Sequence, residues 1–243
     1  MISDRIHGMK KIEIITWHKC NCRCLFCASY SMKEEKELSL EEAARMLKAY
    51  REQGAEAVDF GGGEPTTRED IPIMAEIAAK LGYSHIGLKT NGMRLCYPDY
   101  TKRLMDAGIN IFYVSMWGHD SSTHDVLAGR TGAFEATEMG IKHLADFGAD
   151  FCIDILMTSK IVPHLAKAAG HLADIGAANF TFWLYSIFGS GGKYPELLPR
   201  LADAGDALLE AYQRVKGKGV SVKTTHVFPC FLKESGDIYY NIK

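Results

Sequence analysis

The sequence predicts an α/β fold, a partial (β/α) barrel of parallel strands with helices on its outer face. Two observations carry the prediction. A unit of amphipathic helix, glycine and short apolar strand recurs along the chain. The glycine falls just past each helix, where a left-handed residue ends a helix at little steric cost. Alternating strands and helices imply a parallel sheet with its helices packed outside.

The opening strand is Lys11–Trp17. The first helix after it has Ser39 and Glu42 as a capping box and Ala43, Met46, Leu47 and Tyr50 as one apolar stripe. The joints that follow are Gly54 before AEAVDF, Gly82 before YSHIGLKT, Gly108 before INIFYVS, Gly148 before ADFCIDILM, Gly176 before AANFTFW and Gly219 before VSVKTT. That makes seven strands separated by six helical segments. A full eight-stranded barrel and an open doubly wound sheet are the alternatives. The domain runs over 1–225, followed by a C-terminal tail, 226–243. The loop Gly189–Lys193 and the residues after Pro229 are expected to be its mobile parts.

At 243 residues, 47% hydrophobic and 24% charged, the chain has enough apolar material for one large domain. A net charge of −2 gives no electrostatic reason to expect nucleic acid or an anionic membrane as partner. No apolar run reaches the roughly 18 residues of a membrane span, and the first residues lack the apolar core of a secretory signal. Seven cysteines, four of them clustered, suit a metal in a reducing compartment better than a disulfide framework. The expectation is a cytoplasmic protein.

The four clustered cysteines are Cys20, Cys22, Cys24 and Cys27, and three of them have the spacing C-x3-C-x2-C. Three thiolates hold three irons of a cubane cluster and leave the fourth iron open to a ligand. Four cysteines also suit tetrahedral zinc, although zinc sites usually pair two knuckles far apart in sequence. Barrel and doubly wound folds place their chemistry at the C-terminal ends of the strands, and the unusual sequence falls there. The cysteine loop follows the first strand and Phe60-Gly-Gly-Gly-Glu-Pro-Thr66 the second. Thr90-Asn91-Gly92 ends the third, and Ser115-Met-Trp117-Gly-His119 the fourth.

With CxxxCxxC followed by GGEPT, and with Val114–Phe134 beyond them, residues 12 to 190 resemble the radical S-adenosylmethionine (SAM) superfamily. The Val114–Phe134 stretch is closest in style to members that modify peptides or build cofactors. The resemblance implies a [4Fe–4S] cluster on Cys20, Cys24 and Cys27, with the methionine end of SAM on the open iron. Cys22 is then a solvent-facing thiol or one lying behind the ligands. Phe26 stands where the family packs an aromatic on the adenine. Gly62 and Gly63 let the backbone approach a ligand closely. Glu64 accepts hydrogen bonds from the SAM ammonium, and Ser115 meets the ribose hydroxyls. Asn91 joins the ligand shell or shapes a turn with Gly92, and Arg130 pairs with the SAM carboxylate. The implied chemistry is reductive cleavage of SAM to a 5′-deoxyadenosyl radical that takes hydrogen from a peptide or small-molecule substrate. The electron comes from a reduced flavodoxin- or ferredoxin-like donor.

Asp154 and Tyr185 are the candidate catalytic residues on the substrate side, with Tyr113, Trp117 and Trp183 as further lining. Asp154 alternates with Ile153 and Ile155 on its strand. Many relatives carry Asp or His where this chain has Trp117, and the tail holds only Cys230, too few thiols for a further cluster. Cys96 and Cys152 read as buried thiols, and His119 and His124 as structural. A non-catalytic iron–sulfur carrier or scaffold is the alternative function, and it leaves GGEPT and Ser115 without a purpose.

Overall fold

The computed structural model describes residues 8–29, 37–187, 189–227 and 239–241. The chain divides into two compact units: Met1–Asn21, Ser29–Val114 and Ala136–Phe151 in the first, and Cys22–Ala28, Ser115–Glu135 and Cys152–Lys243 in the second.

The first unit carries β1 (Lys11–Trp17), β2 (Ala57–Gly62), β3 (His85–Thr90) and β4 (Ile111–Met116), parallel and in sequence order. Between them run α1 (Leu40–Glu52), α2 (Ile71–Lys80) and α3 (Pro98–Asp106). The expected capping box starts α1: Ser39 Oγ accepts from Glu42 N–H, and Glu42 Oε2 accepts from Ser39 N–H at 2.9 Å. Two orphan donors of the first turn are thereby satisfied. Ile14, Val58, Phe60, Leu88, Phe112 and Val114 alternate onto one face of the strands and are wholly buried, as are Leu47, Met74 and Leu104 on the helices. The six joint glycines all take positive φ, from 66° at Gly148 to 108° at Gly176.

The opposite face of β1–β4 is polar. Asp59 is fully buried there, with Lys11 Nζ 2.5 Å and His85 Nε2 3.2 Å from its carboxylate, while Lys89 pairs with Glu13 at 2.6 Å. Burial alone would raise the Asp59 carboxyl, but His85 and the two lysines outweigh it and hold the group below the usual carboxylate range. Gly87 makes the room, since a Cβ on it would stand 2.2 Å from Asp59 Oδ1.

The second unit carries β5 (Phe151–Met157), β6 (Asn179–Leu184), β7 (Ser221–Thr225) and β8 (Tyr239–Asn241), again parallel and in order. Its helices are α4 (Ser121–Ala128), α6 (Leu165–Asp174) and α7 (Leu201–Val215); α5 (Ala133–Asp146) falls mostly in the first unit. Ile153, Ile155, Met157, Phe180, Phe182 and Leu208 form its core. Strand β8 lies in the stretch expected to be tail, and its backbone pairs with β7 from Tyr239 to Asn241.

Candidate active site

The first unit assembles its part of the site by zipping the end of β1 against the end of β2. Gly63 N–H donates to Trp17 O at 2.8 Å, Glu64 N–H to Lys19 O at 2.8 Å, and Trp17 Nε1–H to Glu64 O at 2.9 Å. The pairing slips between Ile15 and Trp17, a strand irregularity of the kind that re-aims residues beside active sites. Gly62 has φ of 120°, and a Cβ on Gly63 would stand 2.1 Å from Lys19 O. What approaches these two glycines closely is therefore the chain's own segment leading into the cysteine loop.

Glu64 is 1% exposed, and its carboxylate is held entirely by neutral donors. Oε1 accepts from Thr66 N–H at 3.0 Å, Thr66 Oγ1 at 2.7 Å and Thr90 Oγ1 at 2.7 Å, and Oε2 from Asn91 N–H at 2.7 Å. Burial pushes the carboxyl upward, outweighing the pull of these hydrogen bonds. Oε1 is saturated, whereas Oε2 keeps one acceptor direction for a further donor. Asn91 also reaches the cysteine loop: its Nδ2 donates to Asn21 Oδ1 at 2.7 Å and lies 4.0 Å from Cys20 Sγ. Its Oδ1 accepts from Met93 N–H at 3.1 Å, so it shapes the turn as well.

The second unit holds the rest of the cysteine loop. Arg23 N–H and Leu25 N–H donate to Ala128 O and Leu127 O at the end of α4, at 2.8 and 3.0 Å. Ser190 Oγ lies 2.7 Å from Leu25 O and 3.1 Å from Cys27 O. The Gly189–Lys193 segment, expected to be mobile, is thus a 3-10 turn hydrogen-bonded to the cysteine loop, because that loop's carbonyls need donors. Phe26 packs edge-on against Trp117 at 5.1 Å and Tyr185 at 6.1 Å, in a cluster with Leu127 and Leu197. Trp117 N–H donates to His124 Nδ1 at 3.2 Å, so the proton of the neutral ring sits on Nε2. His124 is 2% exposed, and burial pushes its pKa down to about 4.

The structure gathers Gly62, Gly63, Glu64, Asn91 and Cys20 in the first unit, and Cys24, Phe26, Cys27, Trp117 and Tyr185 in the second. Ser115 and Asp154 are half-buried on β4 and β5, and Arg130 is exposed just beyond α4. The Tyr185 hydroxyl lies 3.0 Å from Gly191 O and 3.1 Å from Tyr194 O, which commits its proton to the main chain. Cys22 is 6% exposed and so not solvent-facing. The thiol of Cys152 is pushed up by burial, as expected of an inert core residue. Cys230 lies outside the described residues. Sequence reasoning passed over Thr66 and Thr90, although Thr90 stands directly before the Asn-Gly turn it helps to shape. It also missed Lys19, whose contribution is a main-chain carbonyl and carries no side-chain signal.

Two observations test whether these residues fit a cluster with SAM. Cys20 is exposed, Cys24 and Cys27 are half-buried, and none forms a disulfide. Glu64 is a buried carboxylate supplied with neutral donors alone, the environment in which an ammonium ligand gains most. The donor set fits. Among the described residues no three His, Cys, Asp or Glu side chains converge on one metal ion; ligands of a cubane bind three different irons and need not converge.

The fold and these loops define an α/β protein with a thiol-rich loop at one strand end and a glycine-framed carboxylate at the next. Residues 14–162, more than half of the 243-residue chain, match the Radical SAM superfamily, and the chain belongs to it. Members of that superfamily use a [4Fe–4S] cluster and S-adenosylmethionine. The chain is 29% identical over 218 residues to an AdoMet-dependent heme synthase of Methanosarcina barkeri, covering 88% of this chain and 61% of the relative. It is 28% identical over 235 residues to the mycofactocin maturase MftC of Mycobacterium tuberculosis, covering 94% and 58%. Among solved structures it is similar to Streptococcus suis SuiB bound to precursor peptide SuiA, with TM-score 0.74, 18% identity and coverage of 90% and 50%. It is also similar to anSMEcpe with bound AdoMet and a peptide, with TM-score 0.70, 20% identity and coverage of 87% and 63%. The chain thus spans between 50% and 63% of the length of these four proteins. The two structural likenesses show the fold, a partial (β/α) barrel, as the strand and helix order predicted. Among the described residues no helix is long and apolar enough to cross a membrane.

Proposed function

We propose that this chain binds a [4Fe–4S] cluster on Cys20, Cys24 and Cys27 and uses it to cleave SAM reductively. When bound and reduced, the cluster supplies the electron that splits SAM into methionine and a 5′-deoxyadenosyl radical, which takes hydrogen from the substrate. The observation that carries this reading is Glu64. A carboxylate 1% exposed and met only by neutral donors is costly to keep ionised, and an ammonium on Oε2 offsets that cost. A simple electron carrier has no use for it.

The other residues bind and orient. Asn91 ties Glu64 to the loop of Cys20 through its main-chain N–H and its side-chain amide. Phe26 offers a ring to the adenine, braced edge-on by Trp117 and Tyr185. Ser115 meets the ribose and Arg130 the SAM carboxylate. On the substrate side, Asp154 holds or moves a proton, and Tyr185 acts by positioning Phe26. The substrate is a peptide or a small molecule. The heme synthase and maturase names among the relatives span both classes. The electron comes from a reduced flavodoxin- or ferredoxin-like protein.

The test is anaerobic reconstitution with iron and sulfide, then dithionite and SAM, with 5′-deoxyadenosine read by mass spectrometry. The expected result is product from the unmutated protein and none from Cys24→Ala. A fully assembled cluster that yields no 5′-deoxyadenosine overturns the reading.

A further inference from the structure

We propose that Arg94 and Arg103 form a docking site for carboxylates on the acidic surface of the one-electron donor. The inference rests on the function proposed above and adds a place of attachment to it.

A surface pocket in the first unit is lined by Arg68, Glu69, Arg94, Tyr100 and Arg103. Arg94 belongs to the 3-10 turn Met93–Cys96 after β3, and Arg103 to α3. Their guanidinium carbons stand 4.7 and 5.4 Å from the centroid of the same Tyr100 ring. Each contact is attractive, and together they hold two cations around one ring. Among the described residues no carboxylate forms an ion pair with either. Asp99 and Asp106 lie one turn to either side of Arg103 on α3, and Glu69 opens onto the pocket. Among the described residues none of the three forms an ion pair with Arg94 or Arg103.

Arg68 shows the contrast. It pairs with Asp70 through two nitrogens, at 2.8 and 2.6 Å, and donates to Thr16 O and Leu38 O at 2.6 and 2.8 Å. Its charge and its donors are spent inside the fold. Among the lining residues the two guanidiniums face the single carboxylate of Glu69, so the lining is cationic, and Asp99 and Asp106 on α3 lessen the surplus around Arg103 without lining the pocket. Their planar forks match carboxylates in geometry as well as charge.

Position selects the partner. Arg94 follows Asn91 by three residues, and the Asn91 amide is the group that reaches Cys20 Sγ. The Tyr100 hydroxyl donates to Thr66 O at 2.9 Å, and Thr66 in turn donates twice to Glu64. The pocket is therefore linked to Glu64 through Tyr100 and Thr66, and Arg94 stands three residues along the chain from the asparagine that reaches the first cysteine. Charge complementarity there steers encounter and sets orientation, which is what a transient electron-transfer partner requires.

The experiment uses the reconstituted protein and an acidic flavodoxin as probe. Binding of oxidised flavodoxin is measured by calorimetry at low and high salt. Cluster reduction is timed with reduced flavodoxin and, separately, with reduced methyl viologen. Arg94→Gln with Arg103→Gln is expected to weaken flavodoxin binding about tenfold and to remove most of its salt dependence. It slows reduction by flavodoxin in parallel and leaves reduction by methyl viologen unchanged, while Arg94→Lys with Arg103→Lys restores much of the binding. Arg103→Glu alone, at an exposed position, gives the same direction should the double variant fold poorly. Undiminished binding by the Gln pair overturns the proposal, as does an unmutated chain that shows no salt-dependent binding. A cluster that methyl viologen cannot reduce counts against the proposed function instead, and the binding data are read independently of it.

Discussion

The main-chain N–H of Asn91 donates to Glu64 Oε2 at 2.7 Å, and the side-chain amide of the same Asn91 donates to Asn21 Oδ1 at 2.7 Å, next to Cys20. One residue thus ties the buried carboxylate to the start of the cysteine loop. The binding proposed at Glu64 and the cluster assembly proposed at Cys20 share a support, and variants on either side should disturb both.

Glu64→Gln places an amide NH2 among donors that already point inward from Thr66, Thr90 and Asn91. At least one buried donor then loses its acceptor, costing about 1–3 kcal/mol of stability. The loss of charge should weaken SAM binding by about tenfold or more. Calorimetry with SAM on the reconstituted variant checks the second effect and denaturant unfolding the first. Unchanged SAM affinity would remove Glu64 from the site.

Gly63→Ala tests the zipper between the two strand ends. Its Cβ would stand 2.1 Å from Lys19 O and 2.8 Å from the His18 carbonyl carbon, and neither is a side chain that can turn aside. Separation of residues 17–19 from 62–64 is expected, costing about 1–3 kcal/mol and lowering the iron content after reconstitution. Gly63 does not have positive φ, so the cost is a steric clash and not left-handed backbone strain.

The four clustered cysteines should separate into two classes. Cys20→Ala, Cys24→Ala and Cys27→Ala each remove a proposed cluster ligand, and iron analysis with electron paramagnetic resonance is expected to show the intact [4Fe–4S] signal lost. Cys22, 6% exposed, is a packed thiol, so Cys22→Ala should keep the cluster at a cost of about 1 kcal/mol for the small cavity. A Cys22→Ala protein that cannot assemble a cluster would redraw the ligand set.

Acid should destabilise the fold through His124. The unfolded imidazole takes up its proton near the ordinary value of 6.5, whereas burial holds the folded ring near 4. Stability from the neutral ring is complete above the unfolded value and is lost as pH falls from about 6.5 to about 4, amounting to about 3 kcal/mol. His124→Phe should flatten urea-unfolding free energies over that window. It also lowers the plateau at neutral pH, because Trp117 N–H loses its acceptor.

Local pattern was legible because local forces write it. The capping box at Ser39 and Glu42, the joint glycines and the alternation of Ile153, Asp154 and Ile155 are each set by neighbours a few residues apart. The cysteine spacing and GGEPT were legible for the same reason, since three thiols on one loop and a glycine-framed glutamate are short-range chemistry. The gathering of Lys11 and His85 around the buried Asp59 was not. Those residues are 48 and 26 positions from one another along the chain, and only strand register brings them to one face. The same holds for Ser190 beneath Leu25 and Cys27, which turned an expected mobile loop into a brace.

The amino-acid sequence by itself determined the fold class, the cysteine loop and the glycine-framed glutamate, because each depends on spacing within one turn, loop or strand. Tertiary structure decided which of those groups are desolvated and what they touch. It left Glu64 with neutral donors only, gave Tyr185 to the main chain, buried Cys22 and brought Arg94 and Arg103 to one tyrosine ring. Burial and partner choice depend on contacts between segments far apart in the chain, and no local pattern encodes them.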